Sequence, residues 1–187
     1  MRRTLLEAAL SVLQHDGAAA LTVRNITDRA GCSTTGIYTH FGGKHGLVEA
    51  IFLDGFESFD ESLTPHYHSG DLAEAGRAYR RWALANPTHY LVMFGRAVPD
   101  FEPSERAAQR AAVSFQFLVD AVADATTVPG DIDPPAAAYH LYATVHGYVM
   151  LELVGMGPAD TGSLDELYEN GLTRALRHRA EVGLELP

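Results

Sequence analysis

Apolar residues recur at helical spacing along almost the whole chain. Nowhere do alternating apolar and polar residues stand between turn signals as a strand would require. That periodicity restricts the chain to an all-α fold, and about nine helices fit the pattern of stripes and breaks. With 187 residues, the chain has the length for one or two small domains with a buried core.

The first stripe, Leu5, Ala9, Val12 and Leu13, predicts a helix over Arg2–His15 that stops at Asp16-Gly17. Val23, Ile26 and Ala30 mark a second, shorter helix, with Thr22 as N-cap and Leu21 and Ile26 at hydrophobic-staple spacing. A third fits Thr34–Phe41, capped by Ser33, with Cys32 and Ile37 as its staple. After the Gly42-Gly43 break, a fourth carries Leu47, Ile51, Phe52 and Phe56 toward a turn near Pro65. Further helices are predicted over Leu72–Asn86, Tyr90–Gly95, Ser104–Thr127, Pro134–Met156 and Leu164–Val182. The segment Ala136–Met156 is apolar and about long enough to cross a bilayer. It also carries His140, His146 and Glu152, which are costly in hydrocarbon, so a helix buried in protein is expected there.

The net charge of −10 argues by itself against nucleic acid, but its distribution does not. Residues 1–50 hold five cations against four anions, and the remainder hold nine against twenty. Such asymmetry points to two tasks in one chain. The lone cysteine, Cys32, excludes an internal disulfide. With no secretory-signal pattern in the opening residues, this predicts a cytoplasmic protein.

The segment from Thr22 to Leu47 holds most of the chemistry. Two short helices joined by Gly31-Cys32-Ser33 make a helix-turn-helix, whose second helix enters the DNA major groove. With Ile37 and Phe41 turned to the core, Thr34, Thr35, Tyr38 and Thr39 face outward. Threonine can offer a hydroxyl to base edges or phosphates and a methyl to thymine. Gly36 costs about 1 kcal/mol against alanine inside a helix. Either close approach to DNA or tight packing on the first helix would account for it. Lys44, the chain's only lysine, opposes the helix dipole at the start of the fourth helix unless a phosphate docks there.

Thr22-Val23-Arg24-Asn25-Ile26, Ala30-Gly31-Cys32-Ser33, Gly36-Ile37-Tyr38-Thr39-His40-Phe41-Gly42-Gly43-Lys44 and Leu47 resemble the DNA-binding domain of the tetracycline-repressor (TetR) family. Cys32 stands where valine is usual, and His45-Gly46 where an acidic pair is usual. The resemblance implies phosphate contacts from Thr22, Tyr38, His40 and Lys44, and base reading by Arg24, Thr34, Thr35 and Thr39. With almost no arm before the first helix, any minor-groove contact falls to Arg2 or Arg3. It divides the chain into a DNA-binding domain over residues 1–45 and a ligand-binding and dimerisation domain over residues 46–187. Asn86-Pro87-Thr88-His89-Tyr90, Phe94-Gly95 and Val145-His146-Gly147 resemble a subgroup marked by Trp-His-Gly, with valine in place of the tryptophan.

That resemblance implies a homodimer on a palindromic operator, joined through the last two helices. Leu141, Val145, Tyr148, Val149, Glu152 and Leu153 are the expected contact residues on one helix, with Leu167, Leu172 and Leu176 on the other. A small-molecule pocket is expected from Tyr79, Trp82, Met93, Phe94, Phe115, Leu118, Tyr142 and His146. Plain core packing is the competing reading of each. Ligand would tilt the fourth helix through Phe52 and Phe56 and release a repressor from DNA. No cofactor or metal is implied, since His66 and His68 lack a third ligand at helical spacing. No Gly-x-Ser-x-Gly, P-loop or His-Glu-x-x-His marks an enzyme. The alternatives are a ligand-independent DNA-binding dimer, a sensor acting through a protein partner or Cys32 (which the staple would bury), and a helical enzyme.

Overall fold

A computed structural model describes residues 1–125, 133–157 and 163–178. Among these residues it holds nine α-helices, a short 3-10 turn at Ala18–Ala20 and no strand. The helices are α1 (Arg2–Asp16), α2 (Val23–Ala30), α3 (Thr35–Phe41), α4 (Lys44–His68), α5 (Leu72–Ala85), α6 (Pro87–Phe94), α7 (Glu105–Asp124), α8 (Pro134–Leu153) and α9 (Leu164–His178). The predicted extension of α7 to Thr127 and of α9 to Val182 falls outside the described residues. No helix among the described residues is long and apolar enough to cross a membrane.

The chain divides into two compact units. The first comprises Met1–Ser58 and Asn86–Ala112, and the second comprises the described residues of Phe59–Ala85 and of the chain from Val113 onward. In the first, α1 packs on α2, α3 and α6. Leu5, Leu6, Ala9 and Val12 form its inner stripe, and Leu21, Ile26, Ile37, Leu47 and Ile51 are buried in the same unit. Full burial of each large aliphatic side chain is worth about 1.5–3 kcal/mol, which holds such short helices in place. Phe52, Phe56 and Phe94 extend this core as a chain of rings, with centroids 4.9 and 5.5 Å apart.

In the second unit α5 packs on α8 and α9, and α8 on α9. Two arginines of α5 stitch the three helices together. Arg77 donates to both Glu169 carboxylate oxygens at 2.9–3.1 Å, and Arg80 makes a bidentate pair with Glu152 at 2.8 Å. The Arg80 guanidinium also lies 5.2 Å from the Tyr168 ring centre, and the Tyr168 hydroxyl donates to the Gly76 carbonyl.

Several boundaries differ from the sequence expectation for physical reasons. Pro65 lies inside α4 and does not end it. Its ring conflicts only with the turn before it, and the helix closes three residues later at His68. The N-cap of α3 is Thr34 and not Ser33. The first turn there is tight: Gly36 and Ile37 amides donate to the Ser33 and Thr34 carbonyls, so no hydroxyl cap forms. α6 begins earlier than predicted, with Pro87 in its first turn, where the missing N–H is harmless. On α8, Leu141, Val145 and Val149 are buried within the chain itself; the large apolar residues left exposed are Tyr139, Tyr148 and Leu151, continuing to Val154 and Met156.

Candidate nucleic-acid interface and effector core

Helix α2 is capped as predicted: the Thr22 hydroxyl oxygen accepts the Asn25 amide at 3.2 Å, leaving its own O–H hydrogen to donate. Gly31 ends the helix in the left-handed region, and Cys32 N–H donates back to the Thr27 carbonyl. Thr27 is buried, with its hydroxyl bonded to its own helix at the Val23 and Arg24 carbonyls. Cys32 is half-buried, not sealed as the staple spacing suggested.

α3 turns Ile37 wholly into the core. Thr34, Thr35, Thr39 and His40 are exposed, and Tyr38 is 60% exposed. Thr22 and Lys44 are exposed as well, and the Arg24 side chain is 89% exposed beside Asp28 at 3.8 Å. All eight residues expected to touch DNA therefore reach solvent. A large exposed tyrosine beside a row of threonines has no packing role to explain it.

The geometry of this face depends on residues that the motif did not single out. A Cβ at Gly36 would lie 3.3 Å from Leu5 Cδ1, so this glycine seats α3 against α1; of its two readings, packing is the one the contacts support. A Cβ at Gly46 would run into the Phe41 carbonyl. The α3–α4 corner thus requires glycine where the family usually has an acid. Arg29 pins α2 to α1 through Asp16 at 2.6 Å and Ser11 at 2.9 Å. Arg2 is not a free arm: its guanidinium sits 5.2 Å from the Phe41 ring centre. Arg3 pairs with Glu7 at 2.9 Å and approaches Asp54 at 3.9 Å.

The start of α4 is braced by the segment before α7. A His45 ring nitrogen lies 3.1 Å from the Glu102 carbonyl, and the Phe101 ring contacts both His45 and Phe52. Glu49 accepts the Ser104 N–H at 2.8 Å, and that bond holds its carboxyl below the ordinary glutamate range. These contacts join residues 49 to 57 positions apart, which no local motif displays.

The residues expected to line a pocket fall in both units. Met93 and Phe94 belong to the first, Met93 against Gly55 and Phe94 against Phe56 and Tyr90. Tyr79, Trp82, Phe115, Leu118, Tyr142 and His146 belong to the second. Phe59 joins them, edge-on to Tyr79 at 5.1 Å and to Trp82 at 5.2 Å. The Tyr79 hydroxyl lies 3.2 Å from His146 Nδ1, and the Tyr142 ring stacks on His146 with centroids 5.4 Å apart. Burial lowers the His146 pKa from its ordinary value and pushes the Tyr142 phenol up to about 12. Both rings are thus neutral near pH 7, offering hydrogen bonds in apolar surroundings.

A helix-turn-helix bundle with an exposed hydroxyl-rich second helix, followed by a separate helical body, defines a class of small regulatory proteins. Residues 5–51 match the family model for bacterial regulatory proteins of the tetR family, and residues 72–175 match that for the tetracyclin repressor-like C-terminal domain. The chain belongs to the TetR family of bacterial regulatory proteins. It is 26% identical to the HTH-type transcriptional regulator Rv1816 of Mycobacterium tuberculosis over 68% of this chain, and it spans 58% of that relative's length. A second relative from the same organism, the uncharacterized HTH-type transcriptional regulator Rv0681, is 26% identical over 98% of this chain and 81% of its own. The crystal structure of SCO4313 superposes with a TM-score of 0.83 at 28% identity, over 94% of this chain and 95% of that one.

Proposed function

We propose that this protein is a homodimeric DNA-binding transcriptional regulator, a repressor released from a palindromic operator by a small molecule. The observation that carries the reading is the exposed face of Thr34, Thr35, Tyr38 and Thr39, with Lys44 at the start of α4. Thr22, Tyr38, His40 and Lys44 would bind phosphates; Arg24, Thr34, Thr35 and Thr39 would read base edges. Both relatives reported above are named as HTH-type transcriptional regulators, which supports this assignment.

In this reading residues 1–45 form the DNA-binding domain and residues 46–187 the ligand-binding and dimerisation domain. The Val145-His146-Gly147 segment would be this chain's form of the Trp-His-Gly motif. The effector would be recognised by the Tyr79–His146 pair with Tyr142, Phe115, Leu118 and Trp82 around it, and by Met93 and Phe94. The exposed Tyr139 and Leu151 of α8 and Val154 just beyond its end, 64%, 50% and 52% accessible, supply an apolar face that a second copy would cover. Two copies would set the recognition helices about 34–36 Å apart, one turn of DNA. The protein acts as a regulator, not a catalyst, and works in the cytoplasm.

Binding to DNA from around the protein's own gene, measured across a salt series, tests the reading. Affinity falls steeply with salt, and Lys44→Ala reduces the log–log slope by about one unit. Tyr38→Phe weakens binding without changing the dimer. Absence of specific binding at low salt, or an unchanged slope in Lys44→Ala, would overturn the docking geometry.

A further inference from the structure

The second unit contains an open cleft of about 760 Å³ at the C-terminal ends of α4 and α7. Tyr67 and His68 line it from α4, and Phe117, Asp120 and Asp124 from α7. The volume is within the usual range for small organic ligands, roughly 300–1,000 Å³. No lysine or arginine is among its described lining residues.

The charges at this place contradict the helix that carries them. A helix C-terminus bears partial negative charge and favours cations in its last turn. α7 instead ends in Asp120 and Asp124, one turn apart on the same face, with no basic residue in that turn. The Gln116 amide donates to Asp120 at 2.8 Å and orients that carboxylate, but it brings no charge. In sequence, Phe59–Ala85 and Val113–Pro187 together hold six cations against fifteen anions. Beside the two carboxylates, Phe117 stays 39% exposed and Tyr67 presents a second ring. Burial, reinforced by Asp60, raises the Tyr67 phenol above its ordinary value, so this ring stays neutral.

We infer that the cleft at the ends of α4 and α7 is a binding site for an organic monocation carrying aromatic or aliphatic bulk. The positive centre sits between Asp120 and Asp124 at the negative end of the helix, and the apolar substituents lie on Phe117 and Tyr67 as cation–π and stacking surfaces. A metal ion is the poorer occupant. Calcium takes six to eight oxygen ligands, and among the described residues no three His, Cys, Asp or Glu side chains are grouped to hold a metal. The site is read by binding alone and stands independently of whether the protein regulates transcription.

Isothermal titration of the full-length protein with tetraphenylphosphonium, at low and moderate salt, tests it. Tetraphenylborate, nearly the same shape with the opposite charge, serves as the control. Saturable phosphonium binding that weakens with salt is expected, with no matching borate isotherm. Asp120→Asn with Asp124→Asn should weaken it at least about tenfold, because charge-assisted contacts are lost. The double variant removes an unfavourable dipole interaction, so it should fold at least as well as the parent. Phe117→Leu, which keeps both charges, should bind about threefold more weakly through loss of the ring face. Phosphonium binding no tighter than borate would overturn the inference, as would a double variant binding within about twofold of the parent.

Discussion

The first unit holds eight cations against nine anions, and it leaves Thr34, Thr35, Thr39, Tyr38, Arg24 and Lys44 facing water. The second holds six cations against fifteen anions, and three of those cations, Arg77, Arg80 and Arg81, are tied to glutamates. The contrast lies in where the polar groups are satisfied. In the first unit, short-range caps and turns fix α2 and α3 and leave their outer polar face to meet a partner, while longer contacts brace α4. In the second, polar groups far apart in sequence satisfy one another, and ordering the helices depends on those long-range pairs.

If local geometry governs the first unit, its most sensitive position is the α3–α4 corner. Gly46→Ala forces a Cβ into the Phe41 carbonyl, and a loss of about 3 kcal/mol in urea unfolding is expected, together with loss of DNA binding. A variant as stable as the parent would mean that the corner yields easily and is not the fixed point of that unit. The matching test in the second unit is Arg80→Ala, which leaves Glu152 without its bidentate partner where the two side chains are only 15% and 17% exposed. A loss of about 2–3 kcal/mol is expected, against no measurable change for Arg24→Ala, whose pair with Asp28 is open to water. Equal effects of the two substitutions would erase the distinction drawn here.

A smaller pair of substitutions compares single hydrogen bonds. Thr22→Ala removes the α2 cap and Tyr168→Phe removes the bond to the Gly76 carbonyl; each should cost about 1 kcal/mol by thermal or urea unfolding. Only Thr22→Ala should also weaken DNA binding. The smallest effect concerns protons. His89 in the first unit and His146 in the second both lie below the ordinary imidazole value, chiefly because burial penalises the charged ring. At His89 the neighbouring Asp54, 3.2 Å away, works against that penalty. The unfolded chain therefore binds more protons than the folded one, so stability falls as pH drops through the unfolded-histidine range near 6.5. Replacing either histidine by glutamine should flatten that decline, as followed by unfolding at pH 7.5 and 5.5.

Much of the first unit was legible from its residues because its signals are local. Thr22 capping α2, Leu21 and Ile26 both buried at staple spacing, and Ile37 turning inward while Tyr38 turns outward all follow from spacings of five residues or fewer. Ser33 failed as a cap because the choice between a hydroxyl and a backbone carbonyl rests on one tight turn. The necessity of Gly46 could not be read, since the obstacle is a carbonyl brought close by the fold. In the second unit the spacing of α8 was clear, but its direction was not. A helix apolar nearly all round shows no preferred face, and contact with α5 and α9 decided that Leu141, Val145 and Val149 turn inward while Leu151 stays out.

The amino-acid sequence by itself determined that the chain is helical, about how many helices it forms, and which face of α3 is polar, because helix periodicity and capping act over a few residues. The tertiary structure decided which glycines admit a neighbour, which arginines find glutamates 72 and 92 residues away, and which aromatic rings gather around His146. Those choices depend on the closing of long loops. Their entropy cost is offset only when the distant partners pack together, and no short stretch of sequence records that meeting.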